Sequence, residues 1–316
     1  MSIADRLVVA PKVADALRRG LPVVALESTL ISHGLPFPQS LEVGRASEAA
    51  VREGGAVPAT ISIRDGKLLV GLDDAALEAL ATAPGGSVRK AARPSLAAAL
   101  AAGGWAATTV SATMIAAREA GIRVFATGGI GGVHRGALDS RQGPPTFDIS
   151  SDLEELARTP MVVVCAGPKA ILDVPATLEY LETRGVPVVV VGQDDVPGFF
   201  MRHSGVPAPS TVPDLGGAAQ VAHAHLELEL GSAMLVCVPV PESDALSPDI
   251  GRDAIERAHA EAAQAGVSGP ALTPWILARI AELTHGASVS ANTSLILNNA
   301  RAAAELAAML RQETGP

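Results

Sequence analysis

A lysine and a glutamate in this sequence each follow a short apolar run, the position where open α/β sheets place their ligands. Lys169 comes after the apolar residues 161–165 and an Ala-Gly-Pro turn. Such a run is typical of a strand buried on both faces, and Pro168 suits the first turn of a following helix. An apolar wall and the positive end of a helix both favour a free amine over an ammonium group, so Lys169 is a candidate nucleophile. The alternative is a solvated first-turn residue without a chemical role.

Glu27 directly follows a second apolar run, residues 22–26, and precedes a Gly- and Pro-rich segment, residues 28–38. That segment carries hydroxyl and imidazole groups at Ser28, Thr29, Ser32 and His33. An acid at a strand end, beside such a loop, predicts the lip of an active site. The alternative is a carboxylate that only caps or pairs locally.

A glycine-rich run, Thr127-Gly-Gly-Ile-Gly-Gly-Val-His-Arg-Gly136, follows the predicted strand 122–126. It fails the dinucleotide-binding fingerprint because His134 stands where the third glycine belongs, and it lacks the Gly-Lys-Ser/Thr ending of a P-loop. Glycines allow the backbone to approach a ligand closely, and His134 and Arg135 lie beside them. The run therefore predicts a cradle for a phosphate or carboxylate group.

Two carboxylates, Asp148 and Asp152, lie four residues apart among serine hydroxyls. Hard oxygen ligands of this kind suit Mg²⁺ or Mn²⁺. Ser151 and Glu154 fit a capping box, which gives Asp152 a structural role at a helix N-terminus, whereas Asp148 lies outside that helix. Lys90, taken alone, is typical of a solvated charge.

The elements that must position these residues alternate along the chain. Hydrophobic periodicity predicts strands at residues 22–26, 59–64, 67–72, 105–110, 122–126, 161–165, 186–191 and 234–238. Helices are predicted at residues 11–20, 39–53, 73–82, 94–102, 111–120, 151–158, 170–184, 218–230, 249–266 and 273–284. A last helix is predicted after Asn298 and Asn299, and these asparagines either bind a ligand or cap helices.

Asp65-Gly66 is a two-residue hairpin signal because both positions must tolerate positive φ, so the sheet includes an antiparallel pair. Residues 105–126 and 161–191 each predict a β-α-β unit that is parallel and right-handed. The predicted fold class is α/β, with three α/β/α layers around a mixed, largely parallel central sheet. We expect one domain, residues 1–316.

Composition excludes several classes of function. The net charge is −9 without a dense run of Lys and Arg, so we expect no nucleic-acid partner. No run approaches the roughly 18 apolar residues of a membrane span, and the N-terminus lacks a secretory signal. Cys165 and Cys237 lie in apolar runs, which is typical of reduced buried thiols and indicates a cytoplasmic protein. His223 and His225 would point to different faces of a helix, so we expect surface residues rather than a zinc site.

Seven motifs, in chain order, resemble one family. They are Val23-Val-Ala-Leu-Glu-Ser-Thr, Ser32-His-Gly-Leu-Pro-Phe-Pro-Gln, Gly55-Ala-Val-Pro-Ala-Thr-Ile, Phe125-Ala-Thr-Gly-Gly-Ile-Gly-Gly-Val-His-Arg-Gly, Thr146-Phe-Asp-Ile-Ser, Val163-Val-Cys-Ala-Gly-Pro-Lys and Asn298-Asn-Ala. Together they closely resemble the pseudouridine-5′-phosphate glycosidase family, also called the indigoidine synthase A-like family. Each motif is weak alone, but the joint match is specific and covers nearly the whole chain.

The resemblance implies a homotrimeric enzyme with one Mn²⁺ per subunit, which interconverts pseudouridine 5′-phosphate plus water with uracil plus ribose 5-phosphate. It implies that Lys169 forms an imine, that Glu27 donates a proton and that Asp148 binds the metal. The predicted substrate-binding residues are Lys90, Val110, Ser150, Ser151, Asp152, His134, Arg135 and Asn298.

The chemistry explains why these residue types are needed. Pseudouridine joins ribose to uracil by a C–C bond, which protonation of a leaving oxygen or nitrogen cannot break. In the mechanism that the resemblance implies, Glu27 assists ring opening and the amine of Lys169 adds at C1′. Protonation of the uracil carbon then releases the base, the nitrogen lone pair forms an imine, and water hydrolyses it.

Two segments depart from the family pattern, since residues 138–145 look longer and residues 192–213 match poorly. Two other functions stay open. One is a class I aldolase-like or other imine-forming lyase that acts on a different phosphosugar or C-nucleoside. The other is a ligand-sensing or scaffold trimer that has lost the chemistry, against which the presence of both Glu27 and Lys169 argues.

Overall fold

The structure is a computed structural model that describes residues 2–139, 145–267 and 269–312. Most of the segment predicted to be longer than in the family, residues 140–144, lies outside the described residues. The strands are β1 Leu7–Val9, β2 Val23–Leu26, β3 Val57–Arg64, β4 Lys67–Val70, β5 Arg89–Ala91, β6 Trp105–Thr108, β7 Val124–Ala126, β8 Val133–His134, β9 Val162–Cys165, β10 Leu172–Asp173, β11 Val188–Val191, β12 Ser210–Val212 and β13 Met234–Cys237.

Helices cover the sheet and its carboxyl edge. They are α1 Pro11–Arg18, α2 Gln39–Glu53, α3 Asp74–Ala81, α4 Leu96–Ala101, α5 Val110–Glu119, α6 Ser151–Leu156, α7 Val174–Thr183, α8 Leu215–Glu227, α9 Pro248–Gln264, α10 Leu272–Leu283 and α11 Ala287–Gln312. None of the helices among the described residues combines the length and the apolar character needed to span a membrane.

The main sheet is mixed and largely parallel. Its strand order is β1-β4-β3-β2-β7-β9-β13-β11-β12, with β6 paired to β3 and β5 paired to β6. All pairs from β3 through β2 to β12 are parallel, whereas β3 pairs antiparallel with β4 and β6. The predicted sheet class is confirmed. The short strands β8 and β10 form a separate antiparallel pair.

Alternate residues of the central strands face two different helical layers. In β2, Val23 and Ala25 belong to the apolar cluster that includes residues of α1, α4, α5, α6 and α7. Val24 and Leu26 belong to the cluster that includes residues of α2, α8 and α11. Full burial of each valine or leucine side chain contributes about 1.5–3 kcal/mol. The predicted three-layer α/β/α arrangement is therefore confirmed.

A third apolar cluster covers the carboxyl ends of the strands. It joins residues that follow β9, including Ile171, to Phe199 and Phe200 and to buried residues of α9, α10 and the first half of α11. This cap matters for function because a parallel sheet binds ligands at this edge.

The hairpin predicted at Asp65-Gly66 is confirmed. These two residues have φ angles of 49° and 76°, and they connect the antiparallel strands β3 and β4. The two cysteines are also buried and free, as predicted. They face each other across β9 and β13, and the hydrogen bond to Cys165, together with burial, raises the pKa of the Cys237 thiol.

The β-α-β unit predicted for residues 105–126 is wrong in its pairing. β6 ends at Thr108 and pairs with β3 and β5, while β7 pairs with β2 and β9. The reason is the length of β3, whose second half extends beyond its pairing with β2 and offers an edge to β6. Helix α5 also begins at Val110, with Thr109 rather than Ser111 at the N-cap position.

Three further local predictions are wrong. Helix α7 begins at Val174 rather than 170, because the Asp173 side chain accepts from the Ala176 N–H and caps it. Asn298 and Asn299 lie within α11 rather than before it, since packing of its alanines against the sheet overrides the weak helix propensity of asparagine. His225 is buried, and its Nε2 lies 2.9 Å from the Ser232 carbonyl oxygen.

Asp152 ties the glycine-rich run to α5. Its Oδ1 accepts a hydrogen bond from the Ser111 N–H at 3.1 Å, and its Oδ2 accepts one from the Gly131 N–H at 3.0 Å. A carboxylate at the start of a helix satisfies a free N–H and interacts favourably with the helix dipole. Gly131 allows this close approach, since a Cβ there would meet Ser150 and lie 2.9 Å from Asp152 Oδ2.

We predict that Gly131→Ala lowers the free energy of unfolding by about 1–3 kcal/mol, because the added methyl group overpacks a site filled by Ser150 and Asp152. Denaturant unfolding measures the change. The matched control is Gly85→Ala, because a Cβ at Gly85 meets nothing within 4 Å. Equal stability of the two variants would contradict the close contact at Gly131.

Candidate active site

Three neighbouring parallel strands deliver the chemical groups to one edge of the sheet. β7 lies between β2 and β9, with Leu26 opposite Ala126 and Ala126 opposite Val164. Glu27 follows β2, Thr127 follows β7, and Lys169 lies four residues beyond β9. All three line one cavity of about 610 Å³. The lysine and the glutamate that the sequence pattern singled out therefore share one cavity.

The Glu27 carboxylate is held by two threonines. The Thr127 hydroxyl donates to Oε1, and Thr29 Oγ1 lies 2.7 Å from Oε2. The same Thr29 oxygen lies 2.7 Å from the backbone carbonyl oxygen of Thr108. Glu27 thus projects from the strand end with both oxygens fixed, which suits a group that must give or accept a proton at a defined place.

Lys169 lies on an extended segment rather than in the first turn of a helix. The Ala166 N–H donates to the Gly128 carbonyl at 2.9 Å, and the Lys169 N–H donates to the Ile130 carbonyl at 3.1 Å. These bonds to the glycine-rich run extend the pairing of β7 and β9 and compete with helix formation. The next helix begins only at Val174, so the predicted effect of a helix dipole on Lys169 is wrong. The apolar wall remains, because residues 162–168 are buried.

Lys90 on β5 reaches the same cavity while a large part of its side chain stays open to solvent. Loss of hydration and, second, the charge of Lys169 lower the pKa of Lys90, whereas Glu27 and Asp152 oppose this shift. His33, on the lip segment Leu30–Gly34, also lines the cavity. Loss of hydration and the charge of Lys90 lower the pKa of its imidazole. Lys90 therefore lines the cavity as well as contacting solvent. A local sequence pattern could not predict this position, because it depends on the pairing of β5 with β6.

Four of the predicted substrate-binding residues lie next to the glycine-rich run but not on the cavity wall. Val110 is the buried first residue of α5, and Ser150, Ser151 and Asp152 form the start of α6. Ser150 is the N-cap, because its side chain accepts from the Asp152 N–H, so the predicted capping box with Ser151 is wrong by one residue. Among the described residues, these four do not appear on the cavity wall.

His134 and Asp148 lie side by side. The His134 N–H donates to the Asp148 carbonyl at 3.0 Å. Burial lowers the pKa of the His134 imidazole, whereas the Asp148 charge raises it and that of Lys169 lowers it. The Nδ1 atom of His134 is buried and has no hydrogen-bond partner. Within the described residues, no three His, Cys, Asp or Glu side chains form a metal-binding cluster. The pair fits an ion that keeps water ligands, as hard divalent ions do.

Arg135 and Asn298 have protein partners. Arg135 forms an ion pair with Glu256 of α9 at 2.6 Å, and Asn298 Nδ2 donates to the Pro239 carbonyl at 3.2 Å. The neighbouring Asn299 is fully buried and donates to the carbonyls of Thr127 and Gly128 at 2.9 and 3.2 Å. Asn299 therefore fixes the peptide that carries Thr127 beside Glu27, a role that the sequence pattern did not separate from capping.

The sequence pattern also missed the apolar wall of the cavity. Phe199 has a φ of 64°, which is unusual for a bulky residue and marks a locally strained site. Its ring packs on Gly129, where a Cβ would lie 2.6 Å from the ring, and it meets Phe200 edge to face at 4.9 Å. The wall also includes Leu26, Leu30, Ile31, Leu35, Pro36, Ala126, Pro274, Leu277, Ala278, Ala281, Val289 and Ile296. In the sequence, the one sign of this wall was the pair Phe199-Phe200, which lies in the segment 192–213 that matches the family poorly.

Comparisons with known proteins agree with this architecture. The chain is 52% identical to the pseudouridine-5′-phosphate glycosidase of Paracoccus denitrificans, over 96% of this chain and 98% of the relative. It is 52% identical to the protein of that name from Sorangium cellulosum, over 99% and 96% of the two chains.

Solved structures give the same result. The prealnumycin C-glycosynthase AlnA in complex with ribulose 5-phosphate superposes with a TM-score of 0.88 at 42% identity, covering 97% of each chain. An indigoidine synthase A-like protein from Thermotoga maritima superposes with a TM-score of 0.83 at 33% identity, covering 96% of each chain. The family model for indigoidine synthase A like proteins matches residues 12–309. The chain therefore belongs to the family of indigoidine synthase A like proteins.

Proposed function

We propose that this protein is a pseudouridine-5′-phosphate glycosidase, which cleaves pseudouridine 5′-phosphate with water to uracil and ribose 5-phosphate and also runs in reverse. The observation that carries the proposal is the shared cavity of Glu27 and Lys169 at adjacent strand ends. Relatives about half identical over nearly their whole length have this name. A sensor or scaffold would need neither an amine nor a hydrogen-bonded carboxyl group in its cavity.

The proposed mechanism uses the amine of Lys169 as the nucleophile. A proton from Glu27 assists opening of the ribose ring, and the amine bonds to C1′. When the uracil carbon gains a proton, the C–C bond breaks and its electron pair stays with uracil, while the nitrogen lone pair forms the imine C=N bond. Water then adds to the imine and releases the aldehyde of ribose 5-phosphate and the free amine.

The 5′-phosphate has two candidate partners on the cavity wall. Lys90 offers a charged donor, and Gly128 and Gly129 bring backbone close to the ligand. Arg135 is a weaker candidate because Glu256 already pairs with it. We therefore propose Lys90 as the main phosphate ligand.

We expect Lys169→Ala to lower the rate of uracil release from pseudouridine 5′-phosphate by at least about a thousandfold, because removal of a covalent nucleophile leaves only binding and polarisation. The control is Lys12→Ala on the exposed surface of α1. Borohydride reduction with ribose 5-phosphate should attach the sugar to Lys169, as read by peptide mass spectrometry. A sugar adduct without uracil release would favour a different imine-forming lyase, and no adduct would favour a sensor.

We also propose that Asp148 and His134 hold one Mn²⁺ per subunit. The support is the unpartnered, buried Nδ1 of His134 beside a carboxylate, a donor set that suits a hard ion with several waters. Such an ion would supply positive charge near the substrate when bound. This chain's own contribution is the backbone hydrogen bond from the His134 N–H to the Asp148 carbonyl, which holds the two residues next to each other.

Asp148→Ala should weaken Mn²⁺ binding at least about tenfold, because it removes the charged ligand. Titration calorimetry with Mn²⁺ alone measures this without reference to catalysis. Asp249→Ala, on the exposed first turn of α9, is the matched control. If both variants bind Mn²⁺ as tightly as the wild type, the ion does not lie at Asp148.

A second candidate function is C-glycosylation of a larger aromatic carbon nucleophile. The observation in its favour is the apolar wall around Phe199, which exceeds what a polar uracil needs, together with the 42% identity to a prealnumycin C-glycosynthase. Both functions share ribose 5-phosphate and the imine, and they differ only in the ring that bonds to C1′.

Condensation assays with ribose 5-phosphate separate the two candidates. We expect uracil to react faster than 1,3-dihydroxynaphthalene, and we expect Phe199→Leu to raise the KM for the ring partner while the KM for ribose 5-phosphate stays unchanged, because stacking is worth about 1–3 kcal/mol per base. A faster reaction with the naphthalene would favour the second function. An equal rise of both KM values would remove Phe199 from the ring subsite.

The homotrimer and the cytoplasmic location are also proposals. The free, buried thiols of Cys165 and Cys237 support a reducing compartment. Uracil and the two sugar phosphates are the proposed small-molecule partners.

A further inference from the structure

The Thr29 hydroxyl lies within hydrogen-bond distance of two oxygen atoms, one on Glu27 and one on Thr108. Thr29 Oγ1 lies 2.7 Å from Glu27 Oε2 and 2.7 Å from the carbonyl oxygen of Thr108. These are normal distances for O–H···O hydrogen bonds. A hydroxyl group has one proton to donate, so it cannot serve both neighbours as the donor.

The two contacts of Thr29 need two protons, and only one of them can come from its hydroxyl group. The carbonyl of Thr108 can only accept, so a hydrogen bond between it and Thr29 uses the hydroxyl proton. The contact between Thr29 and Glu27 then needs a proton on the carboxyl group. We infer that Glu27, in its acid form, carries its proton on Oε2 and donates it to Thr29, which in turn donates to Thr108. Oε1 remains the acceptor for Thr127.

The same three groups also accommodate the ionised form. When Glu27 loses its proton, the Thr29 hydroxyl rotates and donates to Oε2. The Thr108 carbonyl still accepts from the Ser28 N–H at 3.3 Å, so it keeps a partner. Thr29 is therefore a positioning residue that matches its hydrogen bond to the protonation state of Glu27 and reserves one oxygen, Oε2, for the proton in both reaction directions.

Several charged groups face this carboxyl group. Lys90 on β5 and Lys169 beyond β9 share its cavity, as does His33 on the lip. Lys90 interacts electrostatically with Glu27, Asp152 and Lys169. Removal of the Thr29 hydroxyl leaves the proton on Glu27 Oε2 without its hydrogen-bond acceptor, so it should change the vibrational frequency of the carboxyl group.

Infrared difference spectroscopy follows the carboxyl C=O stretch of Glu27, identified as the band lost in Glu27→Gln. We expect Thr29→Val to raise the frequency of this band relative to the wild type, because the proton on Oε2 loses its hydrogen-bond acceptor, and we expect Thr29→Ser to restore the wild-type frequency. Thr29→Ala, which also removes the hydroxyl, should repeat the shift if the valine variant folds poorly. Thr82→Val, at the exposed end of α3, is the control without effect.

An unchanged band frequency in both hydroxyl-free variants would overturn the inference, and so would an equal frequency shift in Thr29→Ser, which would show a packing effect. The role of Thr29 in catalysis rests on the proposed function, whereas the place of the proton does not. In a parallel assay, the kcat for uracil release should fall in Thr29→Val and recover in Thr29→Ser. A wild type without uracil release would contradict the glycosidase proposal, and the spectra would still decide the position of the proton.

Discussion

The parallel register of β2, β7 and β9 is the constraint on which the site depends. Because Leu26, Ala126 and Val164 lie opposite one another, the residues that follow emerge at the same level of the sheet. Glu27 and Thr127 can then meet directly. Lys169 is four residues further from the sheet, and the glycine-rich run supports it there, since Ile130 pairs with Pro168 beyond the regular strands. A one-residue change in this register would separate the amine from the carboxyl group.

The scarcity of aromatic residues shapes how the cavity is closed. Aromatic residues make up 3% of the chain, so the layers are held by Val, Leu and Ala, and α11 contributes a run of buried alanines against the sheet. Small side chains let this helix approach closely, which brings Asn299 within reach of the Thr127 and Gly128 carbonyls. Phe199 and Phe200 lie where the third apolar cluster meets the cavity, whereas Phe125 is buried in the first apolar cluster. An adjacent aromatic pair thus forms part of the cavity wall.

Sequence patterns predicted what depends on neighbours along the chain. Apolar runs indicated the buried strands, and Asp65-Gly66 indicated the hairpin. The positions of Glu27 and Lys169 after apolar runs made them site candidates, and both line the cavity. Features that depend on partners far away in the sequence were not predicted. The pairing of β6 follows from the length of β3, and Lys90 reaches the cavity only because β5 pairs with β6. Likewise, the helix expected at 170 is displaced by hydrogen bonds to a run about forty residues earlier.

The charges inside the cavity favour different roles for the two lysines, Lys90 and Lys169. Glu27 is the carboxylate among the described lining residues, and it shares the cavity with Lys90 and Lys169. The nearby charge of Lys169 adds to lost hydration in lowering the pKa of Lys90. Under the proposed function, a phosphate dianion beside Lys90 would offset both effects and stabilise its ammonium form. Substrate binding would then commit one lysine to the phosphate and leave the other, on the extended segment beside C1′, as the amine that forms the covalent bond.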